Sequence, residues 1–152
     1  MEAEKKAVST SLADATETLG SGMRVLIVDD VRDTMLTLGI LLRSEGFAVE
    51  MVNNGAGVVD AVRRFRPHAV LLDLHMPDRN GCDVAMELRR EHGDACPTLI
   101  AVTALKGDIT RRVAERSGIE YYVVKPYDPD ALIALLASVK QDLQEARKKR
   151  ST

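Results

Sequence analysis

The chain is short of several things that would settle a function early. It has two cysteines, Cys82 and Cys96, in no CxxC pair and in no cluster with its three scattered histidines. That spacing gives neither a metal-ligand set nor a disulfide framework, and both are read as reduced structural thiols. There is no apolar run of about 18 residues or more, so no membrane-spanning helix is expected. Residues 1–22 lack the basic start and apolar run of a secretory leader, so the expectation is a cytoplasmic protein. A net charge of −2 gives no overall signature of nucleic-acid binding. The charge is uneven, though: residues 140–152 carry a local +3, which is read as a solvated basic helix end that suits the helix dipole. No internal repeat or low-complexity block interrupts the text.

What is present is an alternation. The 152 residues, 45% of them hydrophobic, fit one domain with tails. Residues 1–22 read as a flexible tail with a frayed helix around Leu12–Leu19, residues 23–143 as the domain, and residues 144–152 as a basic helix end or tail. Within the domain, strands at 24–28, 48–52, 69–73, 98–102 and 120–124 alternate with helical patterns. The first helix shows an apolar face of Val31, Met35, Leu38 and Leu42 and stops at Gly46. The second runs from about Ala56 to Arg66, with Val58, Val59, Val62 and Phe65 inward, and ends at Pro67. Helices follow at about Cys82–Glu91 and Asp108–Ser117. The last helix starts with Asp128 as N-cap and Pro129 in its first turn, and carries the stripe Leu132, Leu135, Leu136, Val139 and Leu143. Five strands alternating with five helices predict an α/β fold, a doubly wound five-stranded parallel sheet covered on both faces.

Three of the strands end in charge. Arg24–Val28 runs into Asp29 and Asp30, Ala69–Leu72 into Asp73, and Tyr121–Val124 into Lys125 and Pro126. In an open parallel sheet the ligand crevice lies beyond the C-terminal ends of the strands, so these residues can converge. Crowded carboxylates resist ionising together. A divalent cation removes that penalty, and a lysine adds positive charge. The pattern predicts Mg²⁺-assisted phosphoryl chemistry. A second motif, Gly55-Ala56-Gly57-Val58-Val59-Asp60, follows a strand and opens a helix as a dinucleotide fingerprint would. Asp60 stands where the third glycine belongs, which argues against nucleotide binding.

The series Asp29-Asp30, Asp73, Thr103 and Lys125-Pro126 resembles the receiver domain of two-component response regulators. The likeness extends to Leu71-Leu72-Asp73-Leu74-His75-Met76-Pro77, Gly81 and Val102-Thr103-Ala104, and covers about residues 23–143. The resemblance implies a flavodoxin-like, receiver-type (CheY-like) fold. It implies Asp73 as phosphoacceptor, and Mg²⁺ held by Asp30, Asp73 and the backbone carbonyl of His75, with Asp29 acting through a water. It gives Lys125 to a phosphoryl oxygen, Thr103 to the new phosphoryl group, and Tyr122 to the aromatic switch position. Lys125-Pro126 becomes a candidate cis peptide. His75 and Leu105 should border the mouth of the site.

The expected function is then a phosphoacceptor in a phosphorelay rather than a dedicated enzyme. A histidine kinase or histidine phosphotransfer protein would be the donor. No segment outside 23–143 is long enough for an output domain, so a downstream protein target is expected. It would read the face of the fourth helix, fifth strand and fifth helix, including Lys106, Arg111, Tyr121 and Tyr122, where two copies could also meet as a homodimer. Two rivals stand beside this reading. One is an aspartyl-nucleophile phosphohydrolase, which wants a second aspartate where His75 stands. The other is an unphosphorylated interaction module of the same fold, in which acidic or lysine positions would be lost.

Overall fold

The computed structural model describes residues 22–151. The expected tail helix around Leu12–Leu19 lies outside the described residues. The elements run β1 (Arg24–Val28), α1 (Arg32–Ser44), β2 (Ala48–Val52), a 3-10 turn (Gly55–Gly57), α2 (Val58–Phe65) and β3 (Ala69–Leu72). They continue with α3 (Gly81–His92), a 3-10 turn (Gly93–Ala95), β4 (Thr98–Thr103), α4 (Asp108–Arg116), β5 (Tyr121–Val124) and α5 (Pro129–Ser151). All strand pairs are parallel, in the order β2-β1-β3-β4-β5. The doubly wound sheet predicted from the alternation is therefore the fold.

The reason lies in the strands. Each central strand carries an unbroken apolar run, Val25–Val28, Ala69–Leu72 and Leu99–Val102, so both faces seek cover. One face buries Val25, Ile27, Leu71, Ile100 and Val102 against α1 and α5, through Met35, Leu38, Leu42, Leu132, Leu136 and Val139. The other buries Leu26, Val28, Val70, Leu72, Leu99 and Ala101 against α2, α3 and α4, through Val58, Val62, Val84, Leu88 and Ala114. At about 1.5–3 kcal/mol for each large buried apolar side chain, these two layers are the main stabilising term.

Two local features differ from the sequence reading. Val31 is not the first residue of the inward face of α1. It precedes the helix in an extended conformation and is 49% exposed, because its N–H is taken by Asp29 Oδ1 at 2.9 Å. The second helical segment is split, a 3-10 turn at Gly55–Gly57 leading into α2. Its end is as expected: Arg66 adopts the left-handed region at φ 53° ahead of Pro67, which disfavours helical backbone in the residue before it. The last helix continues to Ser151, so the basic segment is helical. Asp128 Oδ1 accepts the N–H of Asp130 at 3.0 Å, as an N-cap should. Among the described residues, no helix is long and apolar enough to cross a membrane.

Candidate functional site

Register brings the charged residues together. Val28 of β1 pairs with Leu72 of β3, so Asp29 and Asp73 leave adjacent strands at the same level. Leu72 pairs with Ala101 of β4, and Thr103 pairs with Val124 of β5, so Lys125 steps off one residue beyond Thr103. Backbone bonds extend the ladder into these positions: Asp29 N–H to Val52 O at 3.2 Å, Asp73 N–H to Val28 O at 3.0 Å, and Lys125 N–H to Thr103 O at 2.8 Å. The Lys125-Pro126 peptide is cis, as the sequence suggested.

Asp29, Asp30 and Asp73 each offer a carboxylate oxygen within 4.8 Å of the others. Asp29 and Asp73 are buried, while Asp30 is exposed. Lys125 Nζ stands 2.6 Å from Asp29 Oδ2 and 3.4 Å from Asp73 Oδ2. Burial by itself would lower the lysine's pKa. The hydrogen bond to Asp29 and the charges of Asp73 and Asp29 outweigh it, and the ammonium is held above its ordinary value. Formally, three carboxylates face one ammonium, a surplus of two negative charges open to solvent at Asp30. Hard oxygen donors with one solvent-facing member fit a cation that keeps some of its waters, as Mg²⁺ does.

The remaining predicted residues surround this cluster. The N–H of His75 donates to Asp73 Oδ1 at 3.0 Å, so the loop after β3 closes on the carboxylate, while the His75 side chain is exposed. Gly81 packs so close to the Asp73 carbonyl that a Cβ would lie 2.6 Å from it; a larger residue would push this loop off the site. Thr103 is fully buried, and its Oγ1 accepts the N–H of Leu105 at 3.3 Å. Tyr122 is half-buried against the α2–α4 layer. Its hydroxyl donates to Leu105 O at 2.6 Å, and the Arg111 guanidinium lies 4.8 Å from its ring centre. Beside it is a hollow of about 430 Å³ lined by Asp108, Arg111, Arg112, Glu115, Tyr121 and Tyr122.

Two sets of contacts escaped the sequence reading. Asp78 bonds the turn before α2 from the loop after β3, a contact between segments over 20 residues apart that no local periodicity signals. Val31 and Leu105 present backbone N–H groups to Asp29 and Thr103, two residues after each. That short spacing is the only sequence clue to such turns.

Comparisons with known proteins agree with the geometry. The family described as the response regulator receiver domain matches residues 25–137. The DNA-binding response regulator MtrA of Mycolicibacterium smegmatis is 38% identical over 111 residues, covering 73% of this chain and 47% of that protein. The response regulator MprA of Mycobacterium leprae is 36% identical over 126 residues, covering 82% and 53%. The chain thus spans about half the length of the curated relatives it matches. Among solved structures, a CheY-like receiver domain protein from Methanospirillum hungatei superposes with a TM-score of 0.73 at 24% identity, covering 85% of this chain and 99% of that one. The signal receiver domain of a LuxO-type repressor from Vibrio parahaemolyticus gives 0.76 at 23% identity, covering 83% and 95%.

Proposed function

The chain belongs to the response regulator receiver domain family, a component of two-component signalling, and from that premise we propose that Asp73 is its phosphoacceptor. The observation that carries the proposal is the convergence of Asp29, Asp30 and Asp73 within 4.8 Å, with Lys125 across from Asp29 and Asp73. Asp30, Asp73 and the His75 carbonyl would hold Mg²⁺, with Asp29 at one remove. Bound there, the cation neutralises charge on the phosphoryl oxygens.

The chain's own residues do the rest. A carboxylate oxygen of Asp73 attacks phosphorus in line. The new P–O bond forms as the donor's P–N bond breaks, and the leaving histidine nitrogen keeps the electron pair and takes up a proton. Lys125, already held charged between two carboxylates, meets the incoming anion. Thr103 is placed on the neighbouring strand to turn its hydroxyl from Leu105 towards the phosphoryl group. That rearrangement reaches Tyr122 through the shared residue Leu105, which both Thr103 and Tyr122 hold.

The phosphodonor is a histidine kinase or phosphotransfer protein. The target reads the face of α4, β5 and α5 beside Tyr122, and two copies of the chain can meet there. DNA binding is in the name of the MtrA relatives, and this chain corresponds to about half of those proteins; no nucleic-acid contact is assigned to it. It is a receiver rather than a dedicated enzyme, and it acts in the cytoplasm.

Acetyl phosphate with Mg²⁺ tests this. Wild type should accumulate a hydroxylamine-sensitive phosphoryl label that Asp73→Asn lacks, with the variant's fold intact. Rapid turnover without accumulation would favour a phosphohydrolase. Absence of any label would favour an interaction module, and label retained in Asp73→Asn would place the nucleophile elsewhere.

A further inference from the structure

The Gly55-Ala56-Gly57 turn has the look of an anion cradle, and its donors are occupied by an anion of the chain's own. Gly55 N–H donates to Asp78 Oδ1 and Ala56 N–H to Asp78 Oδ2, each at 2.9 Å. These two bonds also hold the Asp78 carboxyl below its ordinary pKa. The adjacent donor, Gly57 N–H, is satisfied separately by Asn54 Oδ1 at 2.8 Å.

Asp78 sits midway in the loop that leaves Asp73 and returns to α3 at Gly81. That loop is braced on every side. His75 N–H closes on Asp73 Oδ1, His75 and Asn80 form an isolated antiparallel bridge, and Gly81 N–H reaches back to Leu74 O at 3.0 Å. Arg79 pairs with Glu87 of α3 at 2.8 Å, and Asn80 caps α3 through Cys82 N–H at 2.7 Å. On the α2 side the fit is tight: a Cβ on Gly55 would lie 2.7 Å from Arg79 Cβ.

We propose that Asp78 is a positioning residue, whose two-pronged grip on Gly55 and Ala56 fixes the 75–80 loop and so places the His75 backbone for the cation. The inference rests on the reading of Asp29, Asp30 and Asp73 as the cation site. A helix-capping role alone does not account for it. The start of the α2 segment already has a cap in Asn54, and Asp78 joins two different loops rather than a helix to its own leading residue. Groups that orient metal ligands from the second layer typically change affinity by about 10–100-fold when removed, and a loop with several other braces calls for the low end of that range.

The experiment uses the full chain. It contains no tryptophan, so Mg²⁺ titrations are followed by amide NMR shifts around Asp73. Asp78→Asn and Gly55→Ala are compared with wild type and with Asp83→Asn, which removes an exposed charge from the first turn of α3 without touching the clamp. The expected result is roughly tenfold weaker Mg²⁺ binding in Asp78→Asn and Gly55→Ala, faster amide exchange at Ala56 in Asp78→Asn, and near wild-type affinity in Asp83→Asn. Gly55→Ala changes no charge, so weakening there separates loop placement from simple electrostatics. Should that variant fail to fold, the contrast between Asp78→Asn and Asp83→Asn decides. Equal Mg²⁺ affinity in Asp78→Asn and Asp83→Asn overturns the positioning role while leaving the cation site standing. Absence of Mg²⁺ binding in wild type overturns the site reading, and this inference with it.

Discussion

Lys125 and Asp29, 96 residues apart in the chain, form a 2.6 Å ion pair, shorter than the lysine's 3.4 Å approach to Asp73. The lysine is thus anchored mainly to a neighbour of the proposed nucleophile. A phosphoryl group on Asp73 would then draw an already charged, already ordered ammonium over a short distance, instead of recruiting a loose side chain.

Lys125→Met follows directly. Removing one partner of a mostly buried pair leaves carboxylates without compensation, which is more costly than the pair is worth. The variant should be less stable than wild type without Mg²⁺, and Mg²⁺ should restore more stability to it than to wild type. Differential scanning calorimetry with and without Mg²⁺ reads both quantities. An equal Mg²⁺ increment in the two proteins would show that lysine and cation do not balance the same charge.

Asp30 is the solvent-facing member of the cluster, so its loss should leave the core untouched. At ten times its dissociation constant, a bound cation stabilises by about 1.4 kcal/mol, a shift of about 3–6 °C in a domain of this size. Asp30→Asn should abolish most of that shift and have an unchanged or slightly higher melting temperature without Mg²⁺, since one repulsion is gone. A full Mg²⁺ shift in the variant would remove Asp30 from the site.

Thr103→Ala deletes a buried hydroxyl whose oxygen accepts from Leu105 N–H. The variant should still take a phosphoryl group on Asp73 but fail to pass the change on. Beryllofluoride, a phosphoryl mimic, should shift amides as far as Tyr122 and α4 in wild type and only around Asp73 in Thr103→Ala. One hydrogen bond to a charged group contributes about 1.5–3 kcal/mol, enough to bias a balanced pair of states roughly tenfold or more. Equal spread of shifts in both proteins would exclude Thr103 from transmission.

His68 offers a pH test far from the site. Its Nδ1 accepts the N–H of Arg24 at 2.9 Å, so that nitrogen is unprotonated in the fold. Burial first, then the charges of Arg24 and Arg147, lower its pKa below 6.5. The unfolded chain therefore binds the proton more readily. Stability from this group is complete above about pH 6.5 and falls as pH drops through the lowered folded value. His68→Gln should flatten the decline in stability between pH 7 and pH 5 measured by urea titration. An unaltered slope would assign the pH dependence to other groups.

Much of this was legible in the sequence because buried parallel strands announce themselves twice, by continuous apolar text and by the charge where that text stops. Asp29, Asp73 and Lys125 were visible for that reason, and register then did what any parallel ladder does. Val31 was misread because periodicity counts apolar residues without knowing which backbone N–H an aspartate two positions earlier will take. The Gly55–Gly57 turn was folded into the helix because its Asp78 partner is remote in sequence. The closer pairing of Lys125 with Asp29 than with Asp73 depends on side-chain reach across β1, β3 and β5, which no one-dimensional pattern holds.

The site's spacing is carried by main-chain hydrogen bonds at the ends of β1, β3, β4 and β5, while much of the proposed partner face lies on the outer surfaces of α4 and α5. Those two sets of residues scarcely overlap. A lineage can therefore rewrite the outward face of α4, and so change the proposed target, without disturbing the distance from lysine to carboxylate. The sheet acts as a fixed chassis on which new wiring can be tried one substitution at a time.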